Sequence, residues 1–240
     1  MIAGVGDPGR ADRAGRQAAK LLIRDEDEMM LLFTPPFEGK GQDPGYIRAY
    51  PAGIRENGGQ YTHGALWSVL ATALQGDGDR AAALLGMLNP IHHASSPEAM
   101  SRYAVEPYVV AADVSAAPGK VGRGGWTWYT GSAAWMYRIG LEHLLGIQLD
   151  GGKLRFAPCL PAAWRRYEAW YRRGTSTFHI VVENPLGLSR APCRVELDGA
   201  LVQGGLIELA SDGGAHEVRV VLLADERAAG PAAIELSAGS

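Results

Sequence analysis

The densest group of reactive side chains lies in residues 53–63, which read GIRENGGQYTH. Arg55 and Glu56 bring a guanidinium and a carboxylate close to the imidazole of His63. A buried helix is predicted to follow, and a helix N-terminus directs free N–H groups and the positive end of its dipole at whatever precedes it. Phosphate or sulfate suits such a position, with a protonated His63 as a further donor. The alternative is that Thr62 caps the helix and His63 is a core residue.

A second segment, residues 121–132, reads VGRGGWTWYTGS and also precedes a predicted apolar helix. Thr130, Gly131 and the next serine offer backbone N–H groups and two hydroxyls to an anion. Trp126 and Trp128 suit sugar rings, whose C–H faces stack on indoles, so Trp128 is a candidate substrate-binding residue. The alternative is a plain helix cap beside core tryptophans. The segment has neither a Walker lysine nor a dinucleotide fingerprint.

A third segment, YAVEPY at residues 103–108, places Glu106 between apolar residues and next to a proline. A carboxylate in this setting can accept a hydrogen bond from a sugar hydroxyl or act as a general base. A structural ion pair is the alternative.

The elements that must position these residues change in kind near Gly151. Before it, apolar residues at helical spacing predict helices. One begins at Pro8 and has a single buried stripe, and others cover 61–74, 79–88 and 130–145. After it, alternation predicts short strands over 153–156, 167–172, 177–182, 194–197, 206–209 and 216–223. The sequence therefore predicts an α+β fold, with a helical domain over 1–150 and an antiparallel β domain over 151–240.

The composition excludes several classes of protein. With 47% hydrophobic and 20% charged residues the chain is typical of a soluble globular protein. A net charge of −3 gives no electrostatic reason to expect nucleic acid or an anionic membrane as a partner. Cys159 and Cys193 form neither a disulfide framework nor a metal-ligand pattern. The start resembles no signal peptide, no apolar run approaches the roughly 20 residues of a membrane span, and we expect a cytoplasmic chain.

Taken in order, five segments resemble the phosphorylases of glycoside hydrolase family 94: GIRENGGQYTHGALW, NPIHHA, VEPYVVAADV, GRGGWTWYTGSAAWMYR and PCLPAAW. Within that family, TPPF, DPGYI and VGRGGWTWYTGSA are closest to the C-terminal domain of cyclic β-1,2-glucan synthases and to the 1,2-β-oligoglucan phosphorylases. The resemblance covers about residues 7–185. It implies the C-terminal portion of an (α/α)6 barrel followed by a small β domain. It also implies phosphorolysis with inversion at the anomeric carbon.

The resemblance also assigns roles to residues. By their place in its motifs, His63, Thr130 and Gly131 bind phosphate, which is a co-substrate, and no cofactor or metal is used. Three further residues belong to the sugar-binding wall and one lines the same cavity. These are Arg55, Glu56 and Tyr61 in the wall, and Glu106 in the cavity.

One departure from the family is large. Its general acid is an aspartate in an upstream Asp-Trp-Asn-Asp motif, and this chain contains no such motif. The chain also supplies only part of the helices that close the barrel, so Leu66 and Trp67 are expected to lie exposed. We therefore expect a fragment of an inverting β-1,2-glucan phosphorylase that is inactive by itself. The alternatives are a non-catalytic glucan-binding module and an inactive truncated remnant.

The expected partners are a β-glucan oligosaccharide, phosphate and the remainder of a parent polypeptide. The resemblance leaves open that the parent is anchored in the inner membrane, and a homodimer also stays open.

Overall fold

The computed structural model of the chain describes residues 2–39, 41, 43–128 and 130–224, with Thr130 described by its backbone alone. Packing divides the chain into two units. The helical unit comprises Met1–Leu74 and Ala83–Ile139, and the β unit comprises Gln75–Ala82 and Gly140–Ser240. The predicted domain boundary near residue 150 stays a prediction.

Six α-helices are described. They are α1 Pro8–Leu22, α2 Thr62–Leu74, α3 Gly78–Met87, α4 Pro90–His93, α5 Pro97–Tyr103 and α6 Thr130–Arg138. A 3-10 helix covers Gly45–Ala49, and a π-helical segment, Ile139–Leu144, follows α6. Four two-residue strands form two antiparallel pairs. These are β1 Ile23–Arg24 with β2 Met29–Met30, and β3 Gln60–Tyr61 with β4 Asp113–Val114.

The start of α1 follows from its sequence, but its burial does not. Asp7 Oδ1 accepts a hydrogen bond from the Arg10 N–H at 2.8 Å, and Pro8 occupies the first turn, as predicted. The prediction of a buried stripe on this helix is wrong, because α1 has no buried residue and Leu21 is 57% exposed. Leu22, at its end, packs at the edge of a small cluster.

The core of the helical unit is built on α2. Leu66, Val69 and Leu70 recur at helical spacing and are buried in one cluster with Met30 and Ile139. The prediction of exposed residues on α2 is therefore wrong for Leu66, which is fully buried. It is right for Trp67, which is 47% exposed.

The β unit contains eight described strands. They are β5 Ile147–Asp150, β6 Lys153–Phe156, β7 Arg166–Arg173, β8 Ser176–Glu183, β9 Cys193–Leu197, β10 Ala200–Leu201, β11 Leu206–Glu208 and β12 Ala215–Leu222. One sheet has the order β10-β9-β12-β8-β7 and the other has the order β11-β6-β5. The six predicted strands are confirmed within two residues, and β5 and β10 were not predicted.

One strand pairing corrects the predicted antiparallel arrangement. β12 runs parallel to β8, with His216 opposite Phe178, while the other pairings of the β unit are antiparallel. Spacing along a chain sets where strands lie but not which strands pair, so this pairing could not be read from alternation. Phe178, Ile180, Val218 and Val220 point to one side and form the centre of the core.

The described helices longer than three residues all lie before residue 146 and the strands longer than two residues all lie after it, which agrees with the α+β class. The (α/α)6 barrel stays a prediction. No helix among the described residues has the length and apolarity that crossing a membrane requires.

Candidate functional site

The loop that carries Arg55 and Glu56 is fixed by one buried amide. Asn57 is 1% exposed, and its Oδ1 accepts a hydrogen bond from the Phe37 N–H at 2.7 Å. Its Nδ2 donates to the carbonyls of Phe37 at 3.0 Å and Tyr50 at 2.8 Å. Gly53 is obligatory beside it, because a Cβ there would lie 2.5 Å from the Ala117 nitrogen and φ is +80°. Hydrogen bonds of Asn57 thus connect its loop to the chain segments at Phe37 and Tyr50.

The same loop leads directly into α2. Tyr61 lies opposite Asp113 in the β3–β4 pair, and the Thr62 N–H donates to the Ala112 carbonyl at 2.9 Å. The buried Gln60 accepts from the Met30 N–H at 3.0 Å, which anchors the strand on its other side. His63 therefore projects from a first helical turn whose position is set by a strand pair.

His63 lies in an aromatic enclosure. Its ring centroid is 4.9 Å from that of Trp67, 5.9 Å from that of Trp135 and 6.5 Å from the nearly parallel ring of Tyr61. Within the described part of the chain, its Nε2 atom is buried and has no hydrogen-bond partner. The enclosure agrees with the alternative that His63 is a core residue. The unpaired nitrogen disagrees with it, because leaving such an atom unpaired costs about 1–3 kcal/mol.

Glu56 presents a second atom of the same kind. Its Oε2 is buried and lacks a hydrogen-bond partner among the residues that the structure describes. Its charge is also felt at Asp113, whose pKa it helps to raise. Two unpaired polar atoms, one basic nitrogen and one carboxylate oxygen, thus occur seven positions apart, in a loop and in the helix start that follows it.

Arg55 is held between aromatic faces. Its guanidinium carbon lies 4.0 Å from the ring centroid of Trp126 and 5.4 Å from that of Tyr50, and its Nε is 3.5 Å from Asp113 Oδ1. Burial raises the pKa of Asp113, and the Trp126 N–H and Arg55 oppose that rise. Gly125 makes room for this carboxylate, since a Cβ there would lie 2.2 Å from its Oδ2. Asp113 was not among the residues predicted for the site.

Glu106 and Trp128 form a directly bonded pair. The Trp128 Nε1–H donates to Glu106 Oε1 at 3.0 Å, and the Tyr108 ring is 6.2 Å from the Trp128 ring. The N–H of Glu106 itself, then Trp128 and Thr127, hold the pKa of this carboxyl below its usual range. Glu106 is therefore an ionised hydrogen-bond acceptor, and its partner is an indole rather than the cation of the predicted alternative.

The start of α6 carries the other predicted phosphate ligands. The side chain of Thr130 lies outside the described residues, so its predicted approach to His63 stays a prediction. Gly131 is exposed and has open space where a Cβ would be. Residues four apart share one face of a helix, so Gly131 lies about 6 Å along α6 from Trp135, on the side of α6 that contacts His63.

The structure connects Arg55, Tyr61 and His63 at the start of α2, and it pairs Glu106 with Trp128. Tyr61 is stacked near His63 and pairs with Asp113, which lies beside Arg55. The Arg55 guanidinium in turn lies over Trp126, two positions before Trp128. No cluster of three metal-ligating side chains occurs in the described ranges. The absence of a cofactor stays a prediction.

The chain is similar to a known protein family and to several known proteins. The family description "Glycosyl hydrolase 94 superfamily, catalytic domain" matches residues 1–146. The chain is 50% identical over 181 residues to the cyclic β-(1,2)-glucan synthase NdvB of Rhizobium meliloti, which is 75% of this chain and 6% of that protein.

Two phosphorylases are more distant relatives. N,N'-diacetylchitobiose phosphorylase of Vibrio proteolyticus is 30% identical over 192 residues, 80% of this chain and 24% of that protein. The 3-O-β-D-glucopyranosyl-β-D-glucuronide phosphorylase of Paenibacillus borealis is 29% identical over 168 residues, 70% of this chain and 22% of that protein. The chain thus spans less than a quarter of each relative.

Proposed function

The chain belongs to the glycosyl hydrolase 94 superfamily, and on that premise we propose that it provides the phosphate- and sugar-binding part of an inverting phosphorylase acting on β-1,2-glucan. The phosphorylase kind is supported by the relatives with that name. The β-1,2 linkage is supported by the higher identity to a protein named for β-(1,2)-glucan, 50% against 30% and 29%.

One observation carries the proposal. Glu56 Oε2, in the loop that leads into α2, and His63 Nε2, in the first turn of α2, are buried without partners in the described structure. A donor at His63 fits an anion, and an acceptor at Glu56 fits a sugar hydroxyl. A bound phosphate and sugar together would satisfy both atoms. Ligand binding would account for two costly unpaired groups only seven positions apart in the chain.

The reaction needs no general base in this chain. A phosphate oxygen attacks the anomeric carbon, the bond from that carbon to the glycosidic oxygen breaks, and α-glucose 1-phosphate forms with inversion. A hydrolase would use a carboxylate to activate water at this place, whereas phosphate is already an anionic nucleophile. His63, with Thr130 and Gly131, would hold that phosphate.

The departing oxygen must receive a proton. We assign this step to an aspartate outside the present chain. Glu106 is a poor substitute, because the hydrogen bonds that it accepts hold its pKa low and keep it ionised. In our proposal Glu106 and Trp128 instead form part of the sugar-binding wall with Arg55, Glu56 and Tyr61.

The test is phosphorolysis of β-1,2-glucooligosaccharides, measured as the release of glucose 1-phosphate. The 240-residue chain alone should release none, since loss of general acid assistance costs about 10² to 10⁴ in rate. Adding a segment of a relative that carries the Asp-Trp-Asn-Asp motif should restore release. The matched control is the same segment with the first aspartate changed to asparagine, which should restore nothing. Turnover by the chain alone would contradict the proposed division of roles.

A non-catalytic glucan-binding module is the second candidate. It is favoured by the exposure of Trp126 and Trp128, 59% and 67%, because open indole faces bind sugars without any phosphate. Isothermal titration with inorganic phosphate separates the two. The phosphorylase proposal requires phosphate binding that His63→Ala weakens, and a glucan-binding module would show no phosphate binding.

A further inference from the structure

An exposed tryptophan stands on the outer face of the larger sheet in the β unit. Trp170 lies in β7, opposite His179 of β8, and is 67% exposed. The two rings are stacked, with centroids 4.8 Å apart and an angle of 15° between their planes. Burial in a core does not explain this indole, since Tyr167, Ala169 and Tyr171 of β7 face the core instead.

His179 is fixed from both sides. Its Nε2 lies 2.7 Å from Glu168 Oε2 and its Nδ1 lies 2.8 Å from Glu217 Oε2, while Arg166 pairs with Glu168 in turn. The hydrogen bonds to Glu168 and then to Glu217 raise the pKa of His179. A charged imidazole against an indole face adds a cation–π attraction. Trp170 is thus held in one orientation by charged groups from three strands.

The opposite face of the Trp170 ring has no neighbouring strand. β7 is the last strand in the order β10-β9-β12-β8-β7, so the described sheet ends on that side. Arg172 lies two positions along on the same side of β7 and is exposed. Alternate residues of a strand lie about 6.6 Å apart. A group stacked on Trp170 therefore has the Arg172 guanidinium within reach of its polar atoms.

We propose that Trp170, with Arg172, is a binding platform for a β-glucan chain. A flat, orientated indole binds the C–H face of a pyranose, and flanking donors and acceptors bind its hydroxyls. A protein partner is the less suitable occupant, because the surrounding face is charged rather than apolar. The identity of the sugar as β-glucan rests on the proposed function.

The experiment measures binding of a long, linear β-1,2-glucan to the 240-residue chain, by affinity gel electrophoresis and by titration calorimetry. Trp170→Ala should weaken binding about tenfold, the expected loss for one stacked aromatic contact. Trp170→Phe keeps a ring and should lose less. The matched control is Trp164→Ala, which removes another exposed tryptophan of the β unit, 46% exposed and in a turn. Its affinity should equal that of the wild type.

Equal retardation of wild type and Trp170→Ala would overturn the inference, and so would a wild type that the glucan does not retard. If Trp170→Ala does not fold, Trp170→Phe and the glucan-induced shift of the indole NMR signal at this position decide the matter. Inorganic phosphate should bind the wild type and Trp170→Ala equally. Trp170-dependent glucan binding without phosphate binding would contradict the proposed function alone. Phosphate binding together with glucan binding that Trp170→Ala leaves unchanged would contradict only this inference.

Discussion

Two histidines of the β unit and two of the helical unit differ in how their ring nitrogens are paired. In the β unit, His179 and His216 each lie between two carboxylates, and both ring nitrogens of each are within hydrogen-bond distance of an oxygen. In the helical unit, His63 and His93 each leave a buried Nε2 without a partner among the described residues. Both ring nitrogens of these two β-unit histidines are thus paired, whereas His63 and His93 each have a buried nitrogen without a described partner.

An unpaired nitrogen is by itself insufficient to mark a site. His93 is buried against Tyr103, with ring centroids 4.9 Å apart, and burial lowers its pKa, so it is a neutral core residue. His63 differs because Glu56, in the loop that leads to His63, has an unpaired buried oxygen as well. Two complementary unpaired atoms, rather than one, distinguish a ligand site from an ordinary packing defect.

Two asparagines sharpen the comparison, because they are nearly matched. Asn57 of the helical unit and Asn184 of the β unit are 1% and 0% exposed, and each makes three hydrogen bonds to the backbone. Asn57→Ala and Asn184→Ala should each destabilise their unit by about 3 kcal/mol or more, since each leaves buried backbone groups unpaired. Thermal and urea unfolding measure the loss.

Function should separate these two variants. Asn57 holds the loop that bears Arg55 and Glu56, so its loss should abolish phosphate binding at temperatures where the fold survives. Asn184 holds a loop of the β unit, and its variant should bind phosphate like the wild type. Equal phosphate affinity in both variants would contradict the assignment of the site to the helical unit.

The next effect concerns His63. His63→Ala should weaken phosphate binding about 10- to 100-fold, because a hydrogen bond to a charged partner contributes about 1.5–3 kcal/mol. In the complemented enzyme the same change should raise the phosphate concentration for half-maximal rate. It should leave oligosaccharide binding without phosphate nearly unchanged.

The control for this change is His93→Ala, which removes the other histidine with an unpaired nitrogen. It should destabilise the fold through lost packing and leave phosphate affinity unaltered. A phosphate response that is the same in wild type and His63→Ala would mean that His63 is only a core residue at a helix start.

The sequence predicted most of the elements because local patterns determine them. Helical spacing and capping residues gave α1 and α2, and alternation gave the longer strands to within two residues. The parallel pairing of β8 with β12 was missed, because it depends on contacts between residues far apart in the chain. For the same reason the burial of Leu66 was missed, since it depends on neighbours that periodicity does not identify.

Residue types indicated most members of the candidate site, but the sequence did not indicate which of them are in contact. A glycine-rich loop before an apolar helix indicated His63, and motif wording indicated Glu56 and Glu106. Asp113 lies in an apolar stretch without any local signal, and only the strand pair places it beside Arg55. The bond between Glu106 and Trp128 joins residues 22 positions apart and could not be read from either segment.

The smallest expected effect is a dependence of stability on pH that belongs to the β unit. Glu168 and Glu217 raise the pKa of His179, and Asp198 and Asp212 raise that of His216. The stabilisation is complete below about pH 6.5, the ordinary histidine pKa, and it is lost as pH rises through the raised folded values. The melting temperature should therefore fall between pH 6 and pH 8.

The double variant His179→Gln, His216→Gln should remove that fall, because glutamine does not titrate in this range. The scan stops at pH 8 because burial raises the pKa of the Cys193 thiol to about 12, which destabilises the fold once the unfolded thiol begins to ionise. On the acid side the sign reverses. The pKa of Asp212 is held at about 2, so its stabilisation is lost only as pH falls from about 4. If the double variant has the same fall of melting temperature with pH, the carboxylate pairs of the β unit do not couple protonation to folding. The two sets of histidines would then differ in geometry alone.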